Sequence, residues 1–456
     1  MSEHVSRVPF SLDPLIAEAK RRARQRRMLV VVALVLVVAG GGATLALRPF
    51  GLLRTSQSTP TRFVPGTLAT GVGGPIPEFT GGAVSAMSAA SRSDAWIVGS
   101  VAWHWDGRAW RTVPLPKGND LWSVAAVAPD DAWTVGALGD GSLARSHALI
   151  EHWDGMRWSV VQLPRLPKSF LFGVSAAGPR SAWAVGATYR SNRAGKLILS
   201  RTRPLLLHWD GASWSKQPLP WGRHELTLDR VVATGPSSVW VVSTGSEDDA
   251  AGSPSLIEHW NGTRWQNVPL PFGRSDPLAG FGATGWNDAW AVGSYAQRGN
   301  TIAKYAHSLA AHWNGRSWRL THIPIRGGDN NAVLTDVAAA RPDDVWALGQ
   351  SQHLHLLGNN GLSATGTATF LEHWNGQEWQ LASGATPTVY DGRPAVTATR
   401  DGSAWAMGTC FSDNFIIRWA DGTWVFAKHP RDRHWRRGTA PSRRQRPVPS
   451  CSSSSS

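Results

Sequence analysis

Six histidines stand in one recurring word, His-Trp-Asp/Asn-Gly-x-x-Trp, at His104, His152, His208, His259, His312 and His373. Imidazoles beside carboxylates are the usual material of general bases and transition-metal ligands. The spacing argues against both uses. Each histidine occurs once per unit at the same place, as a repeated strand residue does, and no spacing matches a zinc site. The third letter interchanges between Asp106, Asp154 and Asp210 and Asn261, Asn314 and Asn375. A catalytic acid cannot become an amide and still trade a proton, whereas a turn residue can. Glu247, Asp248 and Asp249 lack the alternating ligand spacing of a calcium loop and read as a solvated loop. Cys410 and Cys451 are the only cysteines, and Cys451 lies in a serine-rich tail, so no structural disulfide is expected. The reading is of no catalytic residue, no metal and no cofactor.

One set of charges is patterned. Lys117, Lys168, Arg223, Arg274, Arg326 and Arg393 fall one in each of the six crossings between successive units. If the crossings run toward a common axis, six cations focus positive potential there. They are candidate ligand-binding residues for a uronic acid, a phosphate-bearing polymer or an acidic peptide, with Arg supplying paired donors. The same cations could instead be struts between units.

The elements that would position these residues follow from a second word, D/S-A/V-W. It begins at Asp94, Asp131, Ser181, Ser238, Asp288, Asp344 and Ser403. The two words alternate strictly, the histidine word taking a seventh, altered form as RWADGTW at Arg418. The mean period is about 52 residues, the range of propeller blades. Each unit reads as four strands. Strand A is a small/apolar run such as LWSVAAVA, strand B is the first word, and strand C ends in His-Trp. Asp-Gly or Asn-Gly then predicts a tight type I′ hairpin into strand D, which leaves through a Pro-containing exit. Of 26 Trp, 21 fill three repeat positions. Four-stranded sheets apolar on both faces can bury them only against one another, so the expectation is an all-β, seven-bladed propeller of antiparallel blades. Trp158→Ala or Trp265→Ala is expected to cost about 3–5 kcal/mol. Ring closure has two solutions: packing of blade 7 on blade 1, or an added strand near Arg62 to Ala69. The A–B and C–D turns are short and share one face. The B–C connections on the other face are long and varied, as in residues 188–204 and 352–369, and that is where a propeller would bind.

The pattern resembles the kelch-type, galactose-oxidase-like propellers. Their blades run strand, glycine pair, aromatic-Asp before a turn, Trp and a Pro-containing exit. VGS, HWDG, Trp110 and VPLP of the first unit take those places. Copper oxidases of that kind need a Tyr cross-linked to Cys with His and Tyr ligands. The body has Tyr189, Tyr295, Tyr305, Tyr390 and Cys410, without a matching motif. The Asp-box of sialidase-like propellers is not matched either, because Asp here directly precedes Gly.

The net charge of +14 belongs to the tails, leaving only +1 for residues 79–427, so nucleic acid is not an expected partner. Residues 1–27 form a basic cytoplasmic tail. Residues 28–47, Met28 to Leu47, are 20 without a charge, long enough for a transmembrane helix. Lys20, Arg21, Arg22, Arg24, Arg26 and Arg27 precede them and place the N-terminus inside. A linker (48–78), the propeller (79–427) and a basic tail (428–456) follow. The chain thus reads as a bacterial-style, single-pass protein of the cell membrane with an uncleaved signal anchor. Its extracytoplasmic propeller would be a binding or scaffold module for protein or glycan partners. The alternative is an envelope polysaccharide hydrolase or lyase.

Overall fold

The structure, a computed structural model, describes residues 84–116, 119–138, 147–191, 197–219, 226–243, 255–271, 278–297, 305–324, 331–356, 362–382, 394–410, 413–420 and 423–426. The expected anchor at 28–47 and the strand near Arg62 to Ala69 lie outside these residues. Among the described residues no helix is long and apolar enough to cross a membrane.

Seven four-stranded antiparallel sheets follow one another, each built from consecutive strands in the order A-B-C-D. The A strands are Val84–Ser91, Asn119–Ala128, Ser169–Gly178, Arg230–Gly235, Leu278–Gly285, Asn331–Arg341 and Ala395–Ala398. Each contacts the A strand of the next sheet, and the first contacts the last, so they form the closed inner ring of a seven-bladed propeller. Serines of the small/apolar runs stitch this ring together. Ser88, Ser123 and Ser175 accept hydrogen bonds from Ala126, Val174 and Ala233 of the following blade, at 3.0–3.3 Å.

The repeat words register on one another. The Trp of the first word pairs across the sheet with the His of the second, as in Trp96 with His104 and Trp290 with His312. The last Trp of strand C pairs with the first Trp of strand D, as in Trp153 with Trp158. Alternation then sends the Trp–His pair to one face of a blade and the Trp–Trp pair to the other. Consecutive blades interlock through these faces. Trp96 meets Trp153 and Trp158 at 4.9 Å, Trp133 meets Trp209 and Trp214, and Trp290 meets Trp374 and Trp379. At the closure Trp405 of blade 7 meets Trp105 and Trp110 of blade 1 at 5.8 Å. Blade 7 is complete from its own unit, so among the described residues closure is by side-chain packing.

The C–D hairpin corrects the two-residue turn expected from Asp-Gly. It is a four-residue loop, Asp106–Ala109 between the paired Trp105 and Trp110. The amide of Asp106 reaches the Ala109 carbonyl, and Asp106 Oδ1 accepts from the amides of Arg108 and Ala109. The same Oδ1 pattern recurs at Asp154, Asp210, Asn261, Asn314 and Asn375. One side-chain oxygen is all the turn uses, which is why Asp and Asn interchange. Where it is Asp, the amides that bond it hold the carboxyl below its usual range, as for Asp106, Asp154 and Asp210. Gly107 has φ +86°, and a Cβ there would lie 2.9 Å from Ser93 Cβ in the A–B turn, so the two turns share one face. We expect Asn314→Asp to leave stability within about 0.5 kcal/mol and Asn314→Ala to cost about 1 kcal/mol, read by urea denaturation. Equal losses would contradict the oxygen's role.

Candidate functional site

The histidines are structural, and their partners explain the first letter of the other word. His104, His152, His312 and His373 place Nε2 2.6–3.0 Å from Oδ1 of Asp94, Asp131, Asp288 and Asp344 of the same blade. In blade 4 Ser238 takes the place of Asp and its Oγ lies 3.0 Å from His259 Nε2. Burial pushes His259 down to about 4, so a neutral imidazole meets a neutral hydroxyl. Every one of these rings also lies on its cross-strand Trp, with centroids 4.1–4.5 Å apart from blade 1 to blade 6. Among the described residues no cluster of His, Cys, Asp and Glu could hold a metal ion.

The short-turn face is standardised. Indole N–H groups of Trp105, Trp153, Trp209, Trp313 and Trp374 donate to the first carbonyl of their A–B turns, at 2.9–3.2 Å. The opposite face is not. In blade 1 strands B and C are Asp94–Gly99 and Ala102–Trp105, two residues apart. In blade 3 they are Ser181–Ser191 and Leu197–Trp209, and in blade 6 Asp344–Leu356 and Leu362–Trp374. Much of what reads as long loop in the sequence is therefore β-hairpin, with pairing carried out to Ser191 with Leu197 and to Leu356 with Leu362. Blade 5 does the same, pairing Gln297 with Tyr305. Each extended ladder in blades 3 and 6 is interrupted once by a register shift, after Thr188 and after Ser351.

An aromatic group stands at the foot of the blade 3 hairpin. The register of strand A slips by one between Leu121 and Ser123 in blade 2, and between Leu171 and Gly173 in blade 3. The bulged residues are Trp122 and Phe172. A bulge re-aims the extra side chain, and these two half-buried rings stack with centroids 5.4 Å apart at 10°. Phe170 packs on Trp122 at 5.2 Å, and Tyr189 of the hairpin stacks on Phe170 at 4.7 Å. Ala137 of strand B in blade 2 packs with them, and Leu138, 42% exposed, ends that strand. Both strands A enter from the long-loop face, so the group lies at that end of the ring. Aromatic residues at two successive bulges, where other units carry Ser85, Ala279 or Thr335, were the overlooked signal.

Of the six patterned cations, Lys168 is half-buried at this place, its carbonyl accepting the amide of Tyr189 at 3.0 Å. Lys117, Arg223, Arg274, Arg326 and Arg393 lie outside the described residues. A cation that the pattern missed does reach the inner ring. Arg230 of blade 4 donates to the Ala279 carbonyl of blade 5 and to Asp336 Oδ1 of blade 6, both at 2.8 Å. The second oxygen of Asp336 accepts the amide of Val396 in blade 7 at 3.0 Å. Gly280 admits this approach, since a Cβ there would lie 2.8 Å from Asp336 Cα. Arg230 is therefore a strut across blades 4, 5 and 6, its charge answered by Asp336, which carries the link on to blade 7.

Several solved structures match most of the chain at low identity. YCF48 bound to D1 peptide is 17% identical, with TM-score 0.45, 74% of this chain covering 92% of that one. YCF48 from Cyanidioschyzon merolae is 13% identical, with TM-score 0.45 and coverage of 78% and 98%. The six-bladed fucose-recognising lectin of Aleuria aurantia is 11% identical, with TM-score 0.38 and coverage of 77% and 96%. At these identities the likeness is one of fold. No family model matches the chain, and no curated protein matches it.

Proposed function

We propose that the chain is a membrane-anchored, extracytoplasmic binding module that takes a protein or glycan partner on its long-loop face. The observation that carries the reading is the stacked Trp122–Phe172 pair at the foot of an overhanging hairpin. Aromatic rings give large contact area with little loss of side-chain freedom, which suits a peptide or the apolar face of a sugar. The uniform short-turn face makes the contrast, because its turns are committed to internal hydrogen bonds. The anchor rests on Met28 to Leu47 and the basic residues before it. The kelch-type character of the blades rests on the sequence pattern. Lys168, with the five cations Lys117, Arg223, Arg274, Arg326 and Arg393, is the part of this reading that favours an anionic group on the partner.

The test uses the full chain in nanodiscs against a glycan array and envelope extracts. Trp122→Ala with Phe172→Ala should weaken the strongest interaction found at least tenfold, in the range of a lost aromatic anchor. Met156→Ser, at an 84% exposed site in a C–D turn, should leave it unchanged. Equal binding by all three proteins would remove the site from the aromatic pair. A reporter active only outside the cytoplasm, fused at residue 428, should work, and its failure there would overturn the topology.

A further inference from the structure

The seventh histidine word differs from the other six in having Arg418 where they have His, and its first word begins with Ser403 where four others begin with Asp. The sequence alone reads this as decay of the repeat. The geometry gives it a task. The Arg418 guanidinium lies 5.4 Å from the ring centre of Trp405 in its own blade and 5.6 Å from that of Trp105 in blade 1. Its Nη1 donates to the carbonyl of Arg92, in the A–B turn of blade 1, at 3.3 Å. The amide of the same Arg92 donates to Asp401 Oδ2 of blade 7 at 2.7 Å. A histidine at 418 would stack on Trp405 as its counterparts do, but the hydrogen bonds of those counterparts stay within their own blades and none donates to a carbonyl of the next blade's turn.

This seam is also unlike the other six in its covalent structure. Every other pair of neighbouring blades is joined by the chain running from strand D to the next strand A. Blades 7 and 1 hold the two ends of the propeller, and among the described residues no strand of one completes the sheet of the other. Among the described residues no segment of chain joins them directly. The barrier to separation is the shared core of Val84, Met87, Ala95, Ile97, Trp103, Trp105, Trp110, Trp405, Met407 and Ile416, together with the contacts of Arg418 and Asp401. Regions held by fewer constraints are where partial opening begins.

We infer that Arg418 is the clasp of the ring, and that the seam between blades 7 and 1 is where the propeller opens first. A guanidinium held over two indoles suits this task, because it stacks on aromatic faces while keeping its donors in plane for a carbonyl.

The test is thiol labelling of a buried seam position in the full chain, with Cys410 and Cys451 replaced by Ser. Ala95 faces blade 7 and Ala182, at the same position of the first word, faces blade 2; both are fully buried. Ala95→Cys should label faster than Ala182→Cys in the otherwise unaltered protein. Arg418→Ala should raise the first rate at least tenfold and leave the second within twofold. Ser403→Asp with Arg418→His supplies a second variant that keeps a side chain in the site. It rebuilds the Asp–His pair of blades 1, 2, 5 and 6 without the reach to Arg92, so labelling at Ala95→Cys should still rise. Labelling that rises equally at both positions, or at neither, would overturn the clasp. So would wild-type labelling in the rebuilt Asp–His variant, which would make Arg418 an ordinary repeat residue.

Discussion

Trp96→Ala should cost about 3–5 kcal/mol of stability, the usual range for emptying a buried aromatic site. Trp96 is fully buried in the seam between blades 1 and 2. Its ring lies flat on His104 at 4.2 Å and 11°, and edge-on to Trp153 and Trp158 at 4.9 Å each. Removing it takes away the shared partner of three rings, and two stiff sheets cannot collapse to refill the space. Chemical denaturation of the variant against the parent reads the loss directly. Trp158, 4% exposed, falls in the same range. Trp265 does not follow the sequence-based expectation, because it is only half-buried. Its replacement by Ala should cost less, roughly 2–3 kcal/mol, since it covers less apolar area. Equal losses at Trp96 and Trp265 would mean that seam packing does not set the stability of the ring.

The second large effect is on pH. Glu151 and Glu372 precede the His-Trp of strand C in blades 2 and 6, and both are fully buried. Burial pushes Glu151 up to about 7 and Glu372 up to about 8. A carboxyl with a raised folded value stays protonated in the folded protein after the unfolded chain has ionised. Its contribution is therefore complete below the unfolded value near 4.5, and is lost as pH rises through 7 and 8. Each group contributes a slope of up to about 1.4 kcal/mol per pH unit inside that window. The turn carboxyls of Asp106, Asp154 and Asp210 work in the opposite sense, but only below their ordinary acid range. His259, held down to about 4 by burial, opposes this loss up to its unfolded value of 6.5, so the propeller should lose stability most clearly between about pH 6.5 and 8 and be markedly less stable at pH 9. Glu372→Gln should flatten the profile above pH 5 and be more stable than the parent at pH 9. A parent that is most stable at pH 9, or a Gln variant that tracks it, would show that these carboxyls ionise in place.

Glu258 stands at the same position in blade 4 and is also raised by burial, although Asn267 donates to it at 3.0 Å. The Glu-His-Trp triplet of blades 2, 4 and 6 is visible in the sequence. Its burial is not, because a glutamate beside a histidine on a strand reads as the solvated part of an alternating pattern. Here neither side of a blade is solvated. Both faces are covered by neighbouring blades, so the usual inference from alternation fails.

What the sequence alone determined is the local and periodic part of the fold. Seven alternations of two words set the blade count, since each pair of words is one cross-strand ladder whose Trp and His face each other to pack. The interchange of Asp and Asn marked the hairpin, since an Oδ1 acceptor is common to both. Tertiary structure decided what depends on residues far apart in the chain. It turned the long connections of blades 3, 5 and 6 into hairpins, because pairing there is selected by register over many residues and not by turn chemistry. It brought Trp122 and Phe172, 50 positions apart, into one stack through two bulges whose pairing register spans separate strands. It joined Arg230 to Asp336 across blade 5, and it set Arg418 between the first blade and the last. Closure of a ring joins the two ends of a long chain, and a local pattern carries no record of which residue will meet its partner there.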